Sequence, residues 1–238
     1  MGEQINWRKY FLEFLSIFIG ISVAFALEKW NEDRRDQRSE EKTLLEIKNG
    51  LHQDILDIEQ NIGGHKAGLN ACNYFRKIID DQPVAKDSLA KQYFYLLRDY
   101  ISIQNKTGYE SLKSKGLELI QDDSLRFAII SMYDIHYEIL EKLEEQYSEM
   151  QFNQNYYQSI NDLLSPYMVF DEKGLLIDIE YPELSKKDRR AFLSYLWRIE
   201  NNRQYVMKYY AFIREEVRRL IKRIDHSTDE NSKADESY

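Results

Sequence analysis

Few side chains in this chain have the types and spacing that metal binding or catalysis requires. The four histidines lie far apart, and none has a second histidine at the i, i+4 spacing that builds a metal site on a helix. They are His52, His65, His136 and His226. We therefore predict no metal site and no cofactor.

Many acidic residues occur as adjacent pairs. Neighbours on a helix diverge by about 100°, so the carboxylates of a pair cannot readily share a proton or a metal. These pairs include Glu40-Glu41, Asp80-Asp81, Asp122-Asp123 and Glu144-Glu145. The sequence also contains no glycine-rich phosphate loop and no GxSxG turn. The only cysteine, Cys72, lies on an apolar helix face and is predicted to be a core thiol. Because none of these features forms a catalytic or cofactor signature, we predict no enzymatic activity.

Three polar residues interrupt apolar helical stripes. His136 and Gln154 share one stripe, and Arg203 lies on another. Polar residues in such positions fix helix register, or lie at the edge of a bundle, more often than they do chemistry. We predict that all three are buried polar residues with a structural role.

The strongest signal is an apolar segment, YFLEFLSIFIGISVAFAL, at residues 10–27. Eighteen helical residues span about 27 Å, which is close to the thickness of a bilayer's hydrocarbon core. Trp7, Tyr10 and Trp30 bracket the segment as interfacial anchors. The pattern predicts a short polar tail at 1–9 followed by a transmembrane helix at 10–27.

Glu13 and a stripe of small residues stand out within this segment. A carboxylate at that position either reaches the headgroups or is protonated. Alternatively, the four-residue spacing of Ser16, Gly20 and Ala24 lets a second helix approach closely and buries Glu13 between copies. The stripe favours a homo-oligomer, and Glu13 raises the alternative of a membrane-permeabilising or ion-conducting assembly.

Two other interpretations of the segment remain open. Ala24-Phe25-Ala26 is similar to a signal-peptide cleavage site preceded by the basic residues Arg8 and Lys9. The second interpretation is an amphipathic helix that lies on the membrane surface. It is disfavoured because the segment is apolar on nearly all sides. A span is favoured, because helix-forming sequence continues past the site. Cations are more numerous after the segment than before it, which favours a cytoplasmic soluble part.

The remainder predicts an all-α fold, because charged residues make up 31% of the chain while Gly numbers 9 and Pro 3. Apolar residues recur every three or four positions in long stretches, so amphipathic helices must bury their stripes against one another. We predict an elongated antiparallel helical bundle at 28–225 and a disordered polar tail at 226–238. A net charge of -8 without basic runs excludes a nucleic-acid surface.

The helix boundaries follow from the same periodicity. Gly63-Gly64 is expected to end the first helix and Gly116 a short one that Thr107 begins. Further helices are expected at 69–79, 88–103 and, as the longest continuous stretch, 122–164. A small β-hairpin is expected near 168–179, and a final helix begins at Ser185 and extends to about Ile224.

Two stretches carry a family resemblance. They are FLEFLSIFIGISVAFALEKWNEDRR and TGYESLKSKGLELIQDDSLRFAIISMY. They resemble a group of uncharacterised bacterial membrane proteins that have one N-terminal span, a Leu-Lys-Ser-x-Gly turn and a helical remainder. The resemblance implies a single-pass inner-membrane protein and assigns no catalytic residue. We expect a membrane-anchored interaction, scaffolding or sensing module with the lipid bilayer, a second copy and a protein bound to the helical domain as partners.

Overall fold

The computed structural model describes residues 7–180 and 182–235. Most of the predicted polar tail at 1–9, and the last three residues, lie outside this part. The described chain is helical except for one two-stranded sheet and its connecting segments. The prediction of an all-α fold with one small hairpin is therefore confirmed.

Helix α1 (Trp7–Ile79) runs without interruption for 73 residues. The prediction that Gly63-Gly64 ends a helix is wrong, and packing explains why. A Cβ at Gly64 would overlap the ring of Tyr100, so this glycine allows close contact and does not terminate the helix. The predicted first and second helices are one element.

Two short helices pack on α1. Helix α2 (Leu89–Leu97) ends earlier than predicted, and residues 98–106 form an irregular connecting segment. Helix α3 (Thr107–Lys115) ends at Gly116, whose φ of 103° is the conformation that glycine favours. Gly108 brings α3 close to α1, since a Cβ there would lie 2.7 Å from the Ile47 nitrogen.

The stretch predicted as one long helix is divided. Helix α4 (Asp123–Ser131) begins at Asp122, whose side chain accepts from two backbone N–H groups. It continues through a π-helical turn, α5 (Glu138–Glu141) and a second π-helical turn before the helix breaks near Tyr147. A third π-helical turn precedes α6 (Gln158–Leu164). Each π turn changes the helical phase, so the predicted stripe does not stay on one face.

The hairpin and the last helix complete the fold. Strands β1 (Met168–Phe170) and β2 (Leu176–Ile179) pair antiparallel, with an irregularity after Val169. Helix α7 (Lys186–Asp235) follows Ser185, whose hydroxyl and Asp188 exchange hydrogen bonds at the N-terminus of the helix. It extends into the tail predicted to be disordered, where the Thr228 hydroxyl donates to the Ile224 carbonyl one turn back.

Helices α1 and α7 lie antiparallel and form the frame of the bundle. Ion pairs mark the register along their length: Lys48 with Asp225, Glu59 with Arg218, Arg76 with Glu200 and, just past α1, Asp80 with Arg189. As the residue number rises along α1 it falls along α7. This pairing places two separate stretches of core along one long helix pair.

The buried apolar residues form two clusters. The first core joins α1 between Leu44 and Ile58 to α3, α4, α5 and the later part of α7. The second core joins the end of α1 to α2, α6, β2 and the beginning of α7. Polar residues lie between the two cores, at His65 on α1 and Arg203 on α7.

Candidate functional site

The first candidate site is the exposed apolar end of α1. Every residue from 10 to 36 is exposed, including the predicted anchors Tyr10 and Trp30, as is Trp7 before them. Within the part of the chain that the structure describes, α1 is the one helix that is long and apolar enough to cross a membrane. A signal sequence near the N-terminus would have the same properties.

The predicted small-residue stripe lies on this exposed end. Ser16, Gly20 and Ala24 follow one another at one-turn spacing, and Gly20 has no neighbouring atom within 4 Å of an added Cβ. The Ser16 hydroxyl donates to the Glu13 carbonyl at 2.9 Å, so Ser16 adds no unpaired donor to the stripe. Glu13 itself is exposed beside it.

The second candidate site is the polar layer between the two cores, which Arg203 organises. Arg203 is 5% exposed, and its Nη2 donates to the carbonyls of Tyr95, Leu96 and Arg98 at 3.0–3.2 Å. Carbonyls at a helix end lack partners within the helix, so Arg203 caps the C-terminus of α2. Gly68 makes room on α1, because a Cβ there would overlap the guanidinium group. The prediction that Arg203 is buried agrees with its position.

His65 lies against Arg203 from the side of α1. It is 6% exposed, and its Nδ1 is 3.4 Å from the Arg203 Nη1. Arginine only donates hydrogen bonds, so Nδ1 is the acceptor and the proton of the neutral ring lies on Nε2. Burial, reinforced by the charge of Arg203, lowers the pKa of His65 to about 3 and keeps the ring neutral. Sequence reasoning missed this role because it ended a helix beside His65.

Three carboxylates hold the connecting segment 98–106 against the bundle. Asp54 accepts from the Asn105 backbone N–H at 2.7 Å and from the Tyr137 hydroxyl at 2.6 Å. Asp57 accepts from the Ser102 hydroxyl at 2.6 Å and the Ile103 N–H at 3.0 Å. Glu144 accepts from the Ser102 N–H at 3.2 Å and from the Tyr210 hydroxyl. These contacts replace the regular pairing that an irregular segment lacks.

Burial shifts the proton affinity of two of these carboxylates. It raises the pKa of Glu144 to about 7 and that of Asp54 to about 6, although the hydrogen bonds from Tyr210 and Tyr137 act in the opposite direction. Both groups therefore hold protons at a higher pH than an exposed carboxyl does. Nothing in the spacing along the chain singled out Glu144 beyond its acidic neighbour, because the π turns determine which residues face inward.

A cavity of about 50 Å³ lies within the polar layer. Its walls include His65, Tyr100, Glu144, Asn202 and Arg203. Within the described part of the chain, three buried polar atoms of these residues have no hydrogen-bond partner: His65 Nε2, the Tyr100 hydroxyl and Arg203 Nε. Each unpaired buried donor costs about 1–3 kcal/mol, so the residues around this cavity keep hydrogen-bonding capacity that the fold does not use.

A larger groove of about 650 Å³ adjoins this cavity on the outside. Leu143, Met150 and Asn202 line both spaces. The groove runs between α7 and the irregular stretch that follows α5, with apolar walls from Ile139 and Tyr205. We refer to the two spaces as the inner cavity and the outer groove.

The other predicted buried polar residues lie outside this layer. His136 is half-buried, and its ring packs edge-on against Phe212 at 5.2 Å. Gln154 is exposed, so the prediction that it is buried is wrong. The π turns before it rotate the stripe, and Phe152 and Tyr156 occupy the inward positions instead.

Metal and thiol chemistry find little support in the described residues. They contain no group of three His, Cys, Asp or Glu side chains that could hold a metal ion. Cys72 is buried in the second core, and burial raises the pKa of its thiol to about 12. A thiol that stays protonated is a poor nucleophile at neutral pH.

Comparison with known proteins gives a family match. A model of a family of unknown function (DUF6090) matches residues 13–163. This range begins inside the apolar end of α1 and ends in α6, so it includes the connecting segment and the π turns but not α7. No curated protein and no solved structure matches the chain.

Proposed function

The chain belongs to the DUF6090 family of unknown function, and we propose that it is a membrane-anchored helical protein whose bundle acts as an interaction or sensing module. The observation that carries this proposal is the continuity of α1. One helix holds an exposed apolar segment at its beginning and lines both cores at its end.

The exposed segment supports a membrane span. Its residues from Tyr10 to Leu27 are apolar on nearly all sides, and none of them is buried by the rest of the chain. Contiguous apolar surface of this size is rare on soluble monomers and marks a membrane or protein contact. Arg34 lies over the Trp30 ring at 5.5 Å, a pairing suited to the interface beyond the span.

Self-association through the span forms the second part of the proposal. Small residues at one-turn spacing let two helix backbones approach closely in lipid. Ser16, Gly20 and Ala24 supply such a stripe, and Gly20 leaves it open. A second copy is therefore the partner we propose within the membrane, with the soluble bundle on the cytoplasmic side of a bacterial inner membrane.

Fractionation tests the anchor. The full chain should sediment with membranes, resist extraction at alkaline pH and retain its complete mass. Recovery in the soluble fraction, or a mature chain that begins near Leu27, would disprove a permanent anchor.

Labelling of an introduced thiol tests the orientation. Cys72 is buried, so a membrane-impermeant maleimide should report on Glu172→Cys in the exposed hairpin turn. Labelling only after permeabilisation is expected for a cytoplasmic bundle. Equal labelling of intact cells would place the bundle on the other side.

An ion-conducting or permeabilising assembly is a second candidate, favoured by the position of Glu13 beside the small-residue stripe. In an oligomer that stripe would bring Glu13 into the helix contact. Reconstituted protein should then leak ions from liposomes, and Glu13→Gln should change the rate. A flux that Glu13→Gln does not alter would remove this candidate.

A further inference from the structure

We propose that the inner cavity and outer groove together bind a small amphipathic carboxylate, with its carboxylate group beside Arg203 and its apolar body in the groove. This inference deepens the sensing part of the proposed function, because it assigns a class of ligand to the bundle. It does not depend on membrane insertion.

Among the described residues, three side chains that line the inner cavity each carry a buried hydrogen-bond donor without a partner. Arg203 Nε carries a hydrogen, His65 Nε2 carries one in the tautomer that Arg203 imposes, and the Tyr100 hydroxyl can donate. Donors without partners are satisfied by an acceptor, and a carboxylate offers two oxygens with about four acceptor positions. The guanidinium charge of Arg203 adds the electrostatic preference for an anion.

Glu144 and Asp99 also line the inner cavity and oppose an anion there. Glu144 is already engaged, since its carboxylate accepts from Tyr210 and from the Ser102 N–H. Asp99 lies at the start of the connecting segment, beside Tyr100. A carboxylate in the cavity should therefore bind more tightly when Glu144 is protonated, at the acidic end of the neutral range.

The size of the inner cavity limits what it can hold. A space of about 50 Å³ accommodates a few waters or one carboxylate group but no drug-sized molecule. The outer groove, at about 650 Å³, lies within the range typical of small-molecule sites. Since the two spaces share Leu143, Met150 and Asn202, one ligand can extend from the first into the second.

The outer groove has an apolar lining with charged residues beside it, and this fits the apolar body of an amphipathic ligand. Ile139, Leu143 and Met150 supply aliphatic contacts, and Tyr147 and Tyr205 supply aromatic ones. Two cations, Lys208 and the Lys142 that pairs with Glu138 at 3.0 Å, and one anion, Glu149, also line the groove. The wall from residue 142 to 150 consists of a π-helical turn and a short 3-10 helix. π-Helical turns are frequent at functional sites.

A series of straight-chain carboxylates tests the proposal. The full chain in lipid nanodiscs is titrated with acetate, butyrate, hexanoate and octanoate, with empty nanodiscs titrated in parallel. Burial of each added methylene in the groove should raise the affinity about fourfold. Alkylammonium ions of equal length are the matched probes and should bind at least about tenfold more weakly. Equal affinity for the two series, or no binding of hexanoate and octanoate at millimolar concentration, would overturn the proposal.

Two variants separate the cavity from the groove. Tyr100→Phe removes one unpaired donor without removing a protein hydrogen bond, and it should lower the affinity for every carboxylate by about fivefold. Tyr205→Ser shortens the groove wall and should reduce only the gain with chain length. Tyr157→Ser removes an exposed tyrosine elsewhere and should change neither. If all three variants titrate like the natural chain, the proposed site is disproved. A chain that stays in the membrane but binds no carboxylate would also disprove the site, and it would leave the proposed anchor intact.

Discussion

The two parts of helix α1 share one backbone geometry but meet different surroundings. Residues 10–36 are exposed on every side, whereas residues 40–79 supply inward-facing side chains to both cores. Within the first part, residues 10–27 are apolar on nearly all sides, whereas the second part is apolar only at every third or fourth residue. The difference shows that one helix meets two environments: a protein core covers the inward side of its end, and the bundle covers no part of its beginning, where we propose lipid.

The same residue type shows the contrast most directly. Leu27 is 55% exposed and Leu51 is 0% exposed, although both lie on α1. Within the bundle, the free energy of burying Leu51 contributes to folding. For Leu27 the corresponding free energy is available only if lipid or a second copy covers it.

The largest expected effect comes from Leu51→Ala. Removing a fully buried leucine should lower the free energy of unfolding of the bundle by about 2–5 kcal/mol. Leu27→Ala makes the same chemical change at an exposed position and should alter it by less than about 0.5 kcal/mol. Urea unfolding followed by circular dichroism measures both. Similar losses in the two variants would show that the bundle covers the apolar end as well.

Ionisation of the buried Glu144 should change the free energy of unfolding by a comparable amount as the pH rises. Its folded-state pKa of about 7 is above the ordinary value of 4.5. Below pH 4.5 the carboxyl is protonated in both states. Between pH 4.5 and 7 it ionises mainly in the unfolded state, so unfolding becomes more favourable as the pH rises. The total loss is about 3 kcal/mol, since one pKa unit corresponds to about 1.36 kcal/mol.

Glu144→Gln isolates that contribution. Glutamine cannot ionise, so the stability of the variant relative to the natural chain should rise with pH across this window and stay constant above pH 7. Glu145→Gln alters the exposed neighbour and is the matched control, for which a flat difference is expected. The measurement is the free energy of unfolding at pH 5, 6, 7 and 8. A pH-independent difference for Glu144→Gln would contradict the burial of its charge.

Alanine substitutions of the two adjacent glycines within α1 should change the stability of the bundle by smaller amounts and in opposite directions. Gly64→Ala would place a methyl group in the Tyr100 ring, so it should destabilise the bundle by about 1–3 kcal/mol. For Gly63→Ala, the added methyl group meets no atom of the described residues within 4 Å, so the substitution should stabilise the bundle by about 0.5–1 kcal/mol through helix propensity. Thermal unfolding midpoints distinguish them. Stabilisation by both substitutions would show that Tyr100 is not held against α1.

These glycines also show what the sequence could and could not predict. Local signals worked where a residue acts through its neighbours in the chain, as at the Asp122 cap, the Gly116 end and the Ser185 start. They failed at Gly64, because the reason for that glycine is a ring from a distant segment. The periodic stripe failed at Gln154 for a similar reason, since π turns inserted before it are not encoded in hydrophobic spacing.

The candidate sites divide in the same manner. The apolar segment could be recognised from its composition, its small-residue stripe from the four-residue spacing, and Arg203 from its place in an apolar stripe. His65, Tyr100 and Glu144 could not be grouped, because α1, the connecting segment and a π turn bring them together from distant positions. Tertiary packing creates that polar layer, so the spacing of residues along the chain does not predict it.

The smallest expected effect tests the exposed part of α1. Gly20→Ile fills the small-residue stripe and should weaken self-association in a membrane by about 1 kcal/mol, or roughly fivefold. Ser22→Ile adds a comparable side chain on the opposite face and should leave association unchanged. The monomer–oligomer distribution of each full-length variant in nanodiscs or detergent is the measurement, with unfolding of the bundle followed in parallel. Because residue 20 contacts nothing in the bundle, unfolding should not change in either variant. An oligomer that Gly20→Ile leaves intact would assign the contact to the helical bundle instead of the apolar beginning of α1.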